Sequence, residues 1–205
     1  MPFDAAVFDF DGTLVDSAGA KRDSFFAIFP DTDVHRQVVA KVLADDPDGS
    51  RHRVIPRMLE RMLSLGLMAG GSANVDRLIH RYGEVSEAAV ARAAELPGAS
   101  ALLEVLAPRI QLHLCSNTPE AAVRSHVAAR GWAAHFKSVD GYPVTKPGKV
   151  AKILRDGGFS PGRVAVIGDG VSDEDAARAN GCRFLAIRSA ADLAAAGKIL
   201  GAAYV

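Results

Sequence analysis

Ala5-Ala6-Val7-Phe8-Asp9-Phe10-Asp11-Gly12-Thr13-Leu14 is the stretch on which the fold turns. An apolar run passes into two carboxylates separated by a phenylalanine, and a glycine follows at once. Short apolar runs bounded by turn residues are the pattern of strands buried on both faces. Alternate residues of a strand face the same way, and the turn that Gly12 permits can aim both carboxylates into one crevice at the strand's end. Two negative charges held there call for a cation. A plain Asp-Gly turn uses one aspartate and leaves the other unexplained.

Working outward, comparable apolar runs occupy residues 110–115, 164–167 and 183–187, which with 5–10 are the sheet candidates. Between them lie alanine-rich segments, 119–130 and 173–180, with helix-favouring composition and a closing glycine at Gly131 and Gly181. Strand and helix alternate, which predicts an α/β fold: a Rossmann-like, doubly wound parallel sheet covered on both faces, with ligands beyond the carboxyl ends of its strands. The region from about 16 to 94 differs. It has no strand-like run and shows helical spacing in 34–44, 54–65 and 75–82, so it reads as an inserted α-helical domain. The expected division is a core of residues 1–15 and 95–205 and an insert of 16–94, with a loop at 45–50 and a hinge at Leu96-Pro97-Gly98.

Composition narrows the function. The 24 basic and 24 acidic side chains cancel, which removes the attraction to nucleic acid that a strongly basic domain would show. The two cysteines, Cys115 and Cys182, fit small core residues in a reducing compartment better than a disulfide framework. No apolar run approaches the roughly 20 residues needed to cross a bilayer, and residues 1–8 enter a strand pattern without the features of a signal peptide. The expectation is a cytoplasmic protein with no nucleic-acid or membrane partner; oligomeric state is not legible.

A second acidic stretch, Val166-Ile167-Gly168-Asp169-Gly170-Val171-Ser172-Asp173, repeats the pattern of strand, glycine and carboxylate. Asp173 in the first turn of a helix is also favoured by the dipole alone. Asp169 between two glycines points to close approach of a ligand, and oxygen donors point to magnesium. Ser116-Asn117 ends the apolar run 112–115 and precedes Thr118-Pro119. Taken alone this reads first as a helix N-cap by Asn117 or Thr118; beside the carboxylates it becomes a hydroxyl and amide site for an anion. Lys146, which precedes Pro147, is kept out of a helix interior. A lone lysine there is ordinarily solvated, whereas next to an acidic cluster it is the natural charge to hold a phosphoryl oxygen.

Together these stretches resemble the haloacid dehalogenase-like superfamily, specifically its phosphatases with a helical cap inserted after the first strand, in the branch of phosphoglycolate phosphatase and beta-phosphoglucomutase. The motif D-x-D-G-T is Asp9-Phe10-Asp11-Gly12-Thr13, the strand-end serine is Ser116 followed by Asn117, the lysine-proline pair is Lys146-Pro147, and G-D-x-x-x-D runs from Gly168-Asp169 to Asp173. The resemblance implies a phosphatase acting on a small phosphorylated substrate, with Asp9 as the nucleophile and Asp11 as general acid and then base. It implies magnesium held by Asp9, the Asp11 backbone carbonyl and Asp169, with Asp173 in or just behind that shell, and Ser116 and Lys146 on the transferring group. Phosphoryl transfer needs mainly positioning and charge neutralisation, which agrees.

The sequence departs from the pattern twice. Gly148-Lys149 stands where the family often has a second proline, a change expected to matter little, and Gly170 replaces the usual serine or threonine, which bears on metal affinity. A phosphomutase of the same family would use the same aspartates and is the main alternative. A dehalogenase generally lacks the second aspartate, here Asp11, and a catalytically silent binding module is the reading from another class. The resemblance places substrate recognition in the insert, where Arg51 and Arg53, in a loop spanning 45–53, either pair with a second anionic group or are solvated helix-start charges. His113, Trp132, Phe136 and Tyr142 are expected to be packing residues, and no histidine-cysteine grouping has zinc spacing.

Overall fold

The computed structural model describes residues 2–47, 49–68 and 72–202, with side chains described from residue 75 onward in the last segment. Asp48, at the centre of the expected 45–50 loop, lies outside the described residues. Two compact units are present, Met1–Asp16 with Ala94–Val205, and Ser17–Ala93.

The first unit holds a five-stranded sheet with the order β3-β2-β1-β4-β5. Its strands are β1 (Ala5–Phe8), β2 (Gln111–Pro119), β3 (Ser138–Tyr142), β4 (Val164–Gly168) and β5 (Arg183–Ala186). Every pairing is parallel. The expected α/β, doubly wound core is what the chain forms. Helices of this unit are α5 (Ala99–Leu106), α6 (Glu120–Ala129), α7 (Lys146–Gly157), α8 (Val171–Asn180) and α9 (Ala190–Leu200), numbered after the four of the insert. One sheet face packs Ala5, Val7, Val164 and Val166 against Val150 and Ile153 of α7 and Ala176 and Ala177 of α8. The alternate residues Ala6, Phe8, Ala165 and Ile167 are also fully buried, as strands covered on both faces require.

Topology decides where a ligand can sit. β1 leads to strands on one side of the sheet and β4 to the strand on the other, so a crevice opens beyond the carboxyl ends of these two neighbours. Asp9 and Asp169 are the residues that directly follow β1 and β4.

The sequence expectations fell short in several places. β3 was missed because its alternation, with half-buried Ser138 and Asp140, is that of an edge strand. A side chain on Gly141 would collide with the backbone of Glu120 at the start of α6, the close approach that a strand glycine often marks. Tyr142, expected to pack, is 45% exposed at the end of β3, whereas Trp132 and Phe136 are buried. Lys146 is the first residue of α7, with Thr145 capping the helix through a hydrogen bond from the Gly148 amide. Neither Asn117 nor Thr118 caps α6; β2 continues to Pro119.

The second unit comprises α1 (Ala18–Ala27), α2 (Asp33–Asp45), α3 (Arg51–Ser64) and α4 (Ser72–Arg92). Its own core contains Phe25, Val39, Leu43, Ile55, Met58, Met62 and Tyr82. The 3.6-residue spacing of Ile55, Met58, Leu59 and Met62 explains why α3 buries one face. Arg51 and Arg53 belong to the first turn of α3, not to the loop expected there. The chain leaves and re-enters the first unit through paired segments: Leu96 N–H donates to Leu14 O at 2.8 Å, and Asp16 N–H to Ala94 O at 2.9 Å.

Candidate active site

The site forms where β1 and β4 end. The Asp9 amide still donates to Ile167 O at 2.8 Å, so Asp9 is the last residue held by the β1–β4 ladder. Beyond it the chain turns sharply: Leu14 and Val15 amides both return to Phe10 O at 3.0 Å, and Gly12 has φ 78°, a left-handed conformation that glycine adopts without strain. Phe10 points into the core between His126 and Trp132. That burial fixes the intervening residue and leaves Asp9 and Asp11 on the other side of the chain.

Asp9, Asp169 and Asp173 each offer a carboxylate oxygen, and these three oxygens lie within 4.8 Å of one another. Asp173 is the third residue of α8, and its Oδ2 accepts the Gly170 amide at 3.4 Å. Gly168 lies beneath it; a methyl group there would overlap the Asp173 carboxyl carbon. Between the acids sits Lys146, 4% exposed, with Nζ 3.0 Å from Asp9 Oδ1 and 2.7 Å from Asp173 Oδ1.

The electrostatics follow from that packing. Desolvation, reinforced by the charge of Asp9, pushes the carboxyl of Asp169, a residue exposed as a whole, up to about 6, and that of the buried Asp173 up to about 7. Burial works against the Lys146 charge, yet Asp9 and Asp173 more than offset it and its pKa is raised. One ammonium faces three clustered carboxylates, a deficit of positive charge. Oxygen donors of this kind and number fit a hard divalent cation that takes carboxylates and keeps waters. Asp9, Asp169 and Asp173 would hold it. The Asp11 carboxylate stands outside that triad: Thr118 Oγ1 donates to its Oδ2 at 2.8 Å, and both residues are buried.

Ser116 is buried, and its Oγ accepts the Thr118 amide at 3.0 Å, which leaves the hydroxyl hydrogen to donate elsewhere. Asn117 is exposed and reaches Ser172 Oγ at 3.4 Å. Lys149 departs from expectation: it is 3% exposed, and its Nζ donates to Ser116 O at 2.8 Å and Asp140 O at 3.3 Å. Sequence reading missed Thr118 and Lys149 as parts of this site. Thr118 was legible only as a capping residue, and Lys149 only as a charge where a proline is usual. Arg53 makes two hydrogen bonds of 2.6 Å to Asp46, and Arg51 lies 4.8 Å from the centre of the Tyr82 ring. Both arginines are engaged within the helical unit.

The family model for haloacid dehalogenase-like hydrolases matches residues 3–181. The chain belongs to this family. Solved structures agree on the haloacid dehalogenase-like fold. A predicted phosphoglycolate phosphatase from Haemophilus somnus superimposes with a TM-score of 0.72 at 20% identity, covering 91% of this chain and 85% of that one. A candidate beta-phosphoglucomutase from Thermotoga maritima gives 0.64 at 20% identity, covering 90% and 85%. A candidate hydrolase of the family from Bacillus subtilis, YfnB, bound to magnesium, gives 0.71 at 17% identity, covering 98% and 100%. None of the curated protein sequences matches this haloacid dehalogenase-like chain.

Among the described residues no helix is long and apolar enough to cross a membrane.

Proposed function

We propose that this hydrolase is a magnesium-dependent phosphatase that cleaves a small phosphomonoester through an aspartyl-phosphate at Asp9. The observation that carries the reading is the meeting of Asp9, Asp169 and Asp173 around Lys146 at the crevice between β1 and β4. An acidic triad that can hold a divalent cation, beside a nucleophile already paired with an ammonium, suits the binding and transfer of a phosphoryl group.

A magnesium ion bound to the triad would supply the positive charge that lets an anionic phosphate come up to carboxylates. The Asp9 carboxylate oxygen attacks phosphorus as the ester P–O bond breaks, and the Asp11 carboxyl gives its proton to the departing oxygen. Thr118, by donating to Asp11 Oδ2, orients that carboxyl. Asp11, now ionised, takes a proton from a water whose oxygen attacks the phosphorus, releasing phosphate and restoring Asp9. Lys146 and the Ser116 hydroxyl bind the oxygens of the transferring group, with Asn117 at the rim. The resemblance gives the helical unit the reading of the rest of the substrate, with Arg51 and Arg53 its candidate contacts. The neutral charge balance and the buried Cys115 support work in the cytoplasm on a small molecule.

The test is phosphate release from a panel of small phosphomonoesters, with and without magnesium, by wild type and Asp9→Asn. Magnesium-dependent release that disappears in the variant is expected; release that survives Asp9→Asn refutes the nucleophile. Likeness to a beta-phosphoglucomutase candidate favours a phosphomutase as second reading. Isomerisation of a sugar phosphate without net phosphate release would select it.

A further inference from the structure

We propose that Lys149 is a positioning residue for the candidate active site: its buried ammonium replaces the strand pairing that β2 and β3 lose beside Ser116. It thereby fixes the Ser116 hydroxyl and, through Thr118, the Asp11 carboxylate. The inference rests on the phosphatase reading for its functional consequence, and on geometry for its structural one.

β2 and β3 pair regularly up to Cys115 and Asp140, and pairing resumes only at Pro119 with Tyr142. Three residues of β2, Ser116, Asn117 and Thr118, therefore stand against the single residue Gly141 of β3. Such a bulge breaks the ladder and re-aims side chains, and it leaves backbone carbonyls to find other donors. Ser116 O, within the break, and Asp140 O, at the last regular pair beside it, one from each strand, accept from the same Lys149 Nζ at 2.8 and 3.3 Å. The ammonium clamps the two strands together where their own hydrogen bonds stop.

The consequences pass along the bulge. Ser116 Oγ accepts the Thr118 amide at 3.0 Å, and Thr118 Oγ1 donates to Asp11 Oδ2 at 2.8 Å. A carbonyl held at Ser116 thus sets the hydroxyl proposed to bind phosphate and the group that orients the general acid. Lys149 follows Lys146 by one turn of α7, so the two ammonium groups issue from neighbouring points of one helix start. Lys146 bridges carboxylates; Lys149, among the described residues, forms no ion pair and bonds only carbonyls. A charge taken out of water without a counter-charge is costly, and a core position with only packing to satisfy would be filled by an apolar residue instead.

The experiment compares wild type with Lys149→Met, which keeps the volume and loses the donors, and Lys149→Arg, which keeps charge and donors. Three quantities are read: the inhibition constant of inorganic phosphate, magnesium affinity by calorimetry, and amide hydrogen exchange. In Lys149→Met, phosphate inhibition and kcat/KM are expected to weaken about tenfold or more, the scale of one lost charged hydrogen bond. Magnesium affinity should stay within about twofold, since the clamp touches none of Asp9, Asp169 and Asp173. Amides of 116–118 and 140–142 should exchange faster while those of 164–168 do not, and Lys149→Arg should recover most of the loss. Unchanged phosphate inhibition and unchanged exchange in Lys149→Met overturn the proposal. So does a parallel loss of magnesium affinity, which would mark general damage to the fold. Should Lys149→Met fail to fold, Lys149→Gln, which keeps a neutral amide donor group and loses the charge, is judged by the same criteria. If wild type releases no phosphate from any ester, the phosphatase reading fails, while local exchange still decides whether Lys149 holds the bulge.

Discussion

Replacing Lys146 by methionine removes what is, among the described residues, the only ammonium between Asp9 and Asp173, while keeping nearly the same volume. Both contacts are short, 3.0 and 2.7 Å, and the lysine is 4% exposed. Breaking a buried pair by removing one partner costs about 3–5 kcal/mol because a charge is left uncompensated. The carboxylates can escape by taking up protons, and Asp169 and Asp173 are already poised to do so, at about 6 and about 7. Their folded pKa values exceed the unfolded value of 3.8, so the folded state binds the extra protons. Stability from these groups is present at low pH and is lost as pH rises through 6 and 7. The loss in Lys146→Met should therefore be largest at pH 8 without magnesium and shrink by pH 5, where Asp169 and Asp173 have taken up protons. Urea unfolding at the two pH values, each with and without magnesium, measures this. At pH 8 magnesium should restore most of the loss by supplying the missing positive charge. An equal loss at pH 8 and pH 5, or no response to magnesium, would refute the view that Lys146 exists to balance this cluster.

Further outcomes follow from the same geometry. Gly168→Ala would place a methyl group against the Asp173 carboxyl, and magnesium affinity by calorimetry should fall roughly 10- to 100-fold; an unchanged affinity would exclude Asp173 from the metal's surroundings. Thr118→Val deletes the hydrogen bond to Asp11 Oδ2. Loss of a bond to a charged group of about 1.5–3 kcal/mol predicts a fall in kcat of roughly 10- to 100-fold, with magnesium affinity intact, and a kcat equal to wild type would remove Asp11 orientation from Thr118's role. Burial holds the His113 imidazole below its ordinary 6.5; its Nδ1 meets Ser138 Oγ at 2.9 Å and its buried Nε2 has no hydrogen-bond partner among the described residues. A depressed folded pKa gives stability that is present above 6.5 and lost as pH falls through the folded value. The urea midpoint of wild type should thus drop more steeply between pH 7 and pH 5 than that of His113→Gln, and parallel curves would show that His113 does not titrate with folding.

Much of this protein is determined locally and could be read without coordinates. Apolar runs at 5–10, 110–115, 164–167 and 183–187 became four of the five strands of the sheet. β1 and β4 are buried throughout, as strands covered on both faces must be, whereas β5, at an edge and largely exposed, was legible only as a short apolar run between turn residues. Carboxylates at the ends of two such strands named the crevice in advance, since parallel topology sends strand ends to the same side of the sheet. β3 escaped because an edge strand tolerates Ser138 and Asp140, and α1 escaped because Ala18–Ala27 has little apolar periodicity. What only the tertiary structure decided is which groups meet across long sequence separations. Lys146 to Asp9 and Asp173, Thr118 to Asp11, and Lys149 to the carbonyls of Ser116 and Asp140 are contacts between separate elements. A lysine or threonine at a helix start or strand end has a solvated reading of equal standing in the sequence. Burial among particular neighbours, fixed by the strand order and the β2 bulge, removes that reading, because a buried donor must be matched to an acceptor.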